Sequence, residues 1–294
     1  MCSPRRWSPR HRAVVALDSA ERIGALAAFV VGDVLRIRRS HVEEALTRAG
    51  VARPIGVARA MYRSLGRGLA ELLATVLFRA PRALLGARPP TEFLDYHARS
   101  GRGAVIATAH TGNWDVTACA IAAHTPLTVV TKRLSVGWLD GIWQRARARR
   151  GVRLVEAGGA SRIVARALAR RELVAMLIDQ APERRRAVVR TTFLGAPVWV
   201  DLAPALAALR ARVPLVAAFP YRDTDGTLAV DIAAIIEPPL RPNRNWAEAT
   251  MIEATRLLEA FVRRRPDQWL WMHRRWKDLP EAPIGAPRLR VLPG

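Results

Sequence analysis

The reading of this chain turns on one stretch, Ala104-Val105-Ile106-Ala107-Thr108-Ala109-His110-Thr111-Gly112-Asn113-Trp114-Asp115. Its first part is uncharged, small and β-branched, and short enough for a strand buried on both faces. A polar turn containing glycine comes next, and then a segment of helical length, Asn113 to Ala123. The pattern recurs downstream. Leu127 to Thr131, Val152 to Val155, Leu173 to Ile178 and Val213 to Phe219 read as buried strands. Gly137 to Arg150, Ala160 to Arg170 and Leu202 to Ala211 read as the helices between them. Such alternation predicts an α/β fold with a mainly parallel central sheet flanked by helices. In sheets of this kind reactive groups gather in loops beyond the carboxyl ends of the strands. Residues just after each strand are therefore the first candidates for chemistry.

Upstream, from Ser19 to Arg79, the apolar residues Leu46, Val51, Ala58, Met61, Leu65, Leu69, Leu72 and Leu73 recur at helical spacing. They predict an N-terminal helical segment of two or three amphipathic helices. Pro81 and Pro89-Pro90 punctuate the chain between this segment and the first strand. No repeat and no Gly/Ser-rich linker divides the chain, so the expected organisation is a single domain over 19–279. Its helical part covers 19–90 and its α/β core 91–279, with a basic N-terminus (1–18) and a Pro-rich tail (280–294) that fray. The apolar run Ile23 to Leu35 contains Asp33 and is shorter than the roughly 20 residues of a spanning helix. Two readings of it stand: a core-facing helix, or one lying in a membrane interface.

With 294 residues and 50% hydrophobic content the chain can bury a full-sized core. Its formal charge is +22, and all but Lys132 and Lys277 among its 47 Lys and Arg residues are arginine. That charge suits a polyanionic partner, either nucleic acid or an anionic membrane surface. Because the arginines are scattered instead of forming one stripe, the membrane is favoured, where each cation near the lipid contributes about 1 kcal/mol. A basic nucleic-acid-binding protein without catalytic activity is the alternative. Cys2 and Cys119 form no disulfide framework and no metal-ligand spacing. There is no Gly-x-Ser-x-Gly elbow, and Gly101-Arg102-Gly103 precedes a strand instead of following one. Neither a metal nor a nucleotide cofactor is expected.

His110 sits directly after the first strand and Asp115 lies five residues on. On a regular helix those positions are turned about 140° apart, so a pairing of the two requires the Thr-Gly-Asn turn between them. Paired with a carboxylate, the imidazole keeps one tautomer and offers its other nitrogen as a base. Asn113 is placed to cap the next helix, whose N–H groups would face a developing oxyanion. The alternative for His110 is a satisfied structural histidine. The same spacing recurs at His273-Arg274-Arg275-Trp276-Lys277-Asp278. No strand precedes that copy, so a surface or substrate-contact role is expected for it. Lys132, Arg133 and Arg150 flank the next strand and helix and suit an anionic acceptor, or simply a solvated helix end. Asp179 ends a strand, where it lines the cleft or caps a turn. Trp269, Trp271 and Trp276 alternate with Arg and His, as at a membrane interface, on single-stranded nucleic acid, or packed on the sheet as core.

Ala109 to Asp115, Asp179-Gln180 and the tail from Arg265-Pro266-Asp267-Gln268-Trp269 to Trp276-Lys277 together resemble the late acyltransferases of lipid A biosynthesis. That family includes the lauroyl and myristoyl transferases of Gram-negative bacteria and the acyltransferases of phosphatidylinositol mannosides. The likeness spans Gly24 to Lys277. It implies that His110 and Asp115 are the catalytic His-x4-acidic pair, and that Val129 to Arg133 supplies cationic contacts to the acceptor through Lys132 and Arg133. Asp179-Gln180, then Phe193-Leu194-Gly195, resemble the family's next block; Asp179 and Gln180, with Asn113 and Arg150 read from their positions, are expected to contribute to the substrate site. The implied activity moves a fatty acyl chain from acyl-carrier protein or acyl-CoA to a hydroxyl of a lipid A-type precursor or another glycolipid or phospholipid. The implied location is the cytoplasmic face of the cell inner membrane. Asp115 stands where many members have Glu, Thr191 and Thr192 depart from the pattern, and the N-terminal membrane helix of many members is missing. Peripheral attachment is therefore expected.

Overall fold

The computed structural model describes residues 22, 24–26, 28–77, 87–132, 137–183, 187–241 and 243–277. Arg133 and the expected fraying ends, 1–18 and 280–294, lie outside the described residues, as does Asp278. The N-terminal part holds a π-helical turn at Val30–Val34, then α1 (Arg39–Arg48), α2 (Pro54–Leu77) and α3 (Thr91–Ser100). Proline opens α2, where its missing N–H would have no partner in any case. Leu46, Ala58, Met61 and Leu72 of the helical stripe are buried, as the 3.6-residue period demands.

Five parallel strands come next, each close to one of the expected apolar runs: β1 (Ala104–Thr108), β2 (Leu127–Thr131), β3 (Val152–Glu156), β4 (Leu173–Leu177) and β7 (Leu215–Arg222). The helices joining them are α4 (Trp114–Ile121), α5 (Gly137–Ala148), α6 (Ser161–Ala169) and α7 (Ala203–Ala211). Three features lie beyond the sequence reading. One is β8 (Leu228–Ile236), antiparallel at the sheet edge; another is the hairpin of β5 (Val188–Phe193) and β6 (Ala196–Asp201); the third is α8 (Arg244–Arg264). The hairpin turns through Leu194 and Gly195, both at positive φ (51° and 79°). This is the backbone that a two-residue turn matching the strand twist requires. Phe193-Leu194-Gly195 is thus a turn, which explains its glycine.

The strand order is β3-β2-β4-β1-β7-β8. Successive side chains on β1 go to opposite faces: Val105 and Ala107 join one core, Ala104 and Ile106 the other. The larger core continues into the tail, where Trp269 and Trp271 are both 0% exposed. Their rings meet edge to face at 4.7 Å, and Phe193 and Trp276 pack around them. Of the three readings of the tail, burial selects the core one for Trp269 and Trp271. Neither indole can stack on a base or lie in a membrane interface.

Removing Trp271 would leave a large void in a close-packed core, at a cost of about 3–5 kcal/mol. Its Nε1 also donates to the Pro266 carbonyl at 2.6 Å. Trp271→Ala should therefore lower the urea midpoint well below that of Trp276→Ala, whose site is only half-buried. Equal midpoints for the two variants would contradict the packing described.

Candidate active site

Parallel pairing decides what meets what. The register of β1 against β4 sets Ala104 opposite Leu173 and Thr108 opposite Leu177, and it continues with Ile178 N–H donating to the Thr108 carbonyl at 2.8 Å. Two residues beyond the Thr108–Leu177 pair on each chain, the same offset brings His110 opposite Asp179, beyond the carboxyl ends of two central strands. Nδ1 of His110 lies 3.0 and 3.1 Å from the two oxygens of Asp179. The backbone N–H of His110 donates to Asp179 Oδ2 at 3.0 Å, and the Trp269 indole N–H donates to the same oxygen at 3.1 Å. Burial of Asp179 would by itself raise its carboxyl. Attraction to His110 and the hydrogen bonds from it outweigh that burial and hold Asp179 well below the usual carboxylate range.

The tail clamps the loop that carries His110. Leu270 N–H donates to the His110 carbonyl at 3.0 Å, and Gly112 N–H donates to the Gln268 carbonyl at 2.8 Å. Gly112 has φ +51°, and a Cβ there would come within 2.8 Å of the Tyr221 backbone. No other residue fits this turn without moving the chain. Asn113 then caps α4, accepting from Val116 N–H at 3.2 Å. Its amide donates to the buried Glu71 at 2.8 Å and to the Gly68 carbonyl at 3.3 Å. Glu71 also takes Arg67 and Arg222. The polar atoms of Asn113 are directed into the protein, where they fix the loop.

Asp115 has a different partner from His110. It is buried, and Arg147 of α5 places Nε 3.0 Å from its Oδ1. Burial raises the Asp115 carboxyl, opposed by attraction to Arg147 and then to His110. Arg147 is a functional candidate that sequence reasoning missed in favour of Arg150, one turn further on. Both Asp115 and Arg147 line the main cavity, whereas Arg150 does not. Lys132 lines it too, with its Nζ 3.0 Å from Glu183.

His273, for which a surface or substrate-contact role is expected, lines the main cavity. Its ring packs on that of His110 with centroids 4.5 Å apart, and Trp114 meets His110 from another side at 5.0 Å. Burial, then repulsion from His110, lowers its pKa to about 4, so it is neutral where His110 works. Gln180 Nε2 donates to His273 Nε2 at 3.4 Å. Behind them Arg275 is fully buried and donates to the carbonyls of Gln180 and Trp199 at 3.1 and 2.8 Å. It tethers the segment after β4 to the hairpin. The ligand atoms of His110, Asp179 and His273 lie within 4.8 Å of one another, a spacing that would admit a metal ion. Yet both Asp179 oxygens already accept N–H donors, and His110 Nδ1 is turned to them. This donor set is arranged as a hydrogen-bonded relay.

His110, Lys132, Gln180 and His273 share a mostly apolar cavity of about 1310 Å³, larger than the roughly 300–1,000 Å³ of ordinary small-ligand sites. Val129 and Val130, neighbours on β2, both line it. Since successive strand residues point to opposite faces, the cavity wraps around the carboxyl edge of the sheet. Its lining includes Phe93 of α3 and Ile121 of α4, which pack with one core, and Val164 of α6 and Ala207 of α7, which pack with the other.

The site is thus a histidine held by a buried carboxylate at a mostly apolar cavity lined from both faces of the sheet. Residues 15–278 match the family model described as bacterial lipid A biosynthesis acyltransferase. No curated protein sequence matches the chain. With most of its length covered by that one match, the chain belongs to the bacterial lipid A biosynthesis acyltransferase family.

Proposed function

We propose that this acyltransferase moves a fatty acyl chain from a thioester to a hydroxyl of a lipid A-type precursor or related glycolipid, with His110 as general base. The observation that carries this reading is the His110–Asp179 hydrogen bond at a large, mostly apolar cavity. With Nδ1–H donating to Asp179, Nε2 is the nitrogen left to take a proton. It removes the proton of the acceptor hydroxyl as the oxygen attacks the thioester carbonyl carbon. The tetrahedral oxyanion forms near the N-terminal end of α4, where the helix carries partial positive charge. The C–S bond then breaks, and the thiol leaves with the proton held by His110. Asp179 stabilises the imidazolium throughout without taking the proton itself.

A mostly apolar cavity of about 1310 Å³ lined from both faces of the sheet suits two chains, one from the donor and one from a lipid acceptor. Lys132, Arg147 and Arg210 are the lysine and arginines that line the cavity among the described residues, and the first two are assigned to an anionic headgroup. Asp115 holds Arg147 in place in apolar surroundings, where an unpaired charge would be costly. Acyl-carrier protein fits the basic surface better than coenzyme A as donor, because an acidic partner is steered by it. The place of work is the cytoplasmic face of the inner membrane. Among the described residues no helix is long and apolar enough to cross a membrane, and attachment is peripheral.

His110→Ala should fold and bind donor but lose acyl transfer by about 10²–10⁴-fold, and Asp179→Asn should lose nearly as much. Activity of either variant close to that of the parent would contradict the relay. Asp115→Asn should act differently, raising the KM for an anionic acceptor as Arg147 loses its counter-charge. Replacing Lys132 and Arg133 together by Ala should also raise the acceptor KM more than the donor KM, and equal increases would refute the assignment.

His273 yields a pH prediction. Its folded pKa of about 4 lies below the ordinary 6.5, so the unfolded chain binds more protons between those values and stability falls as pH falls through that window. His273→Asn should flatten the fall in melting temperature there. The contribution of Asp179, whose folded pKa is depressed from 3.8, is present above 3.8 and is lost only as pH drops below that value.

A further inference from the structure

The described residues between 22 and 29 are helical and run into the π-helical turn Val30–Val34. Here the usual amphipathic arrangement is inverted. The small residues face the protein. Gly24 is buried so closely against α2 that a Cβ would come within 2.6 Å of the Arg67 backbone, Ala28 is buried, and Gly32 lies against the Tyr62 ring. The large residues face outward: Leu26 is 64% exposed, Phe29 55% and Leu35 60%, with Val34, Ile37 and Ile55 also exposed. A soluble surface rarely leaves so many large side chains together without a partner. Arginines surround them. Residues 22–70 hold nine arginines against the three acids Asp33, Glu43 and Glu44. Asp33 is taken by Arg39 and Arg59, and Glu43 by Arg39. Arg36 and Arg53 are exposed on left-handed backbone, φ 49° and 55°, an uncommon conformation for a long side chain.

We propose that this face, Leu26, Phe29, Val34, Leu35, Ile37 and Ile55 with Arg36 and Arg53 beside them, is the membrane-docking surface. Its occupant is the interface of an anionic lipid bilayer. Apolar side chains enter the acyl boundary while arginines meet the headgroups. The same loop is tied to the active site: Arg38 Nη1 donates to the Met272 carbonyl at 2.7 Å, and His41 Nε2 lies 3.2 Å from the His273 carbonyl. Met272 and His273 line the cavity. Docking thus sets the cavity next to the bilayer that supplies a lipid acceptor. The docking surface stands independently of the catalytic reading, because it is read by binding alone.

The test is flotation with phosphatidylcholine vesicles, with and without phosphatidylglycerol, on the full chain. The parent should float with anionic vesicles and much less with neutral ones. Phe29→Ser with Leu35→Ser should weaken binding by about tenfold or more, since each tenfold corresponds to only about 1.4 kcal/mol. Arg36→Glu with Arg53→Glu should remove the preference for anionic lipid. Circular dichroism checks folding, and acyl transfer to a short-chain, detergent-dispersed acceptor should persist in both variants. Vesicle binding unchanged in both folded variants would overturn the proposal. So would a parent that ignores vesicles, or a parent dimer in light scattering that the Ser variant turns to monomer without altering vesicle binding. If the parent binds vesicles through this face yet transfers no acyl group, the catalytic reading fails and the docking surface stands.

Discussion

The buried carboxylate of Asp179 is the group around which the active site is organised. A carboxylate out of water is costly unless its lone pairs are filled, and here the donors come from three directions: the imidazole of His110, the backbone N–H of His110, and the indole of Trp269. Two parts of the chain supply these three donors. The parallel register of β1 and β4 supplies the first two, and the folded-back tail supplies the third. The tail is therefore a structural requirement of the site, since without it Asp179 would lose a donor and the His110 loop its clamp.

This arrangement separates two carboxylates that look equivalent in sequence. Asp179 faces a histidine and is held ionised, so it fixes the orientation of the imidazole. Asp115 faces Arg147 in apolar surroundings that push its carboxyl up, and it serves as counter-charge to a cation at the cavity. The tail histidine shows the same economy. His273 stays neutral beside His110, so the working imidazole does not have a second fixed cation stacked on it. Glu71, Asn113 and Arg222 add a separate buried network that holds the turn at Gly112 and Asn113 against α2.

Much of the fold was legible because buried parallel strands carry a local signature. Leu127 to Thr131 matches β2 residue for residue. What periodicity missed was partly exposed or depended on pairing. β8 is apolar at every position but Asp231, yet it follows β7 with no helix between them and pairs antiparallel at the sheet edge, so it falls outside the strand–helix alternation that marked the parallel strands. The hairpin turn was legible as a glycine but not as a turn until Val188 met Asp201. At the site, His110 was legible from its place after a strand. Its partner was not, because proximity in sequence favoured Asp115. The matching offset of β1 to β4 and of His110 to Asp179 appears only once the register is known. The orientation of the 22–35 segment was hidden for a related reason: hydropathy marks which residues are apolar, whereas Gly24 and Ala28 decide which face can approach α2.

The central claim is that Asp179, not Asp115, holds the His110 imidazole. The most direct measurement is the nitrogen NMR spectrum of ¹⁵N-histidine-labelled protein at neutral pH, with the His110 signal assigned by its loss in His110→Gln. The relay requires an Nδ1-protonated neutral ring in the parent and in Asp115→Asn, and loss of that tautomer preference in Asp179→Asn. A His110 tautomer that survives Asp179→Asn but is lost in Asp115→Asn would contradict it.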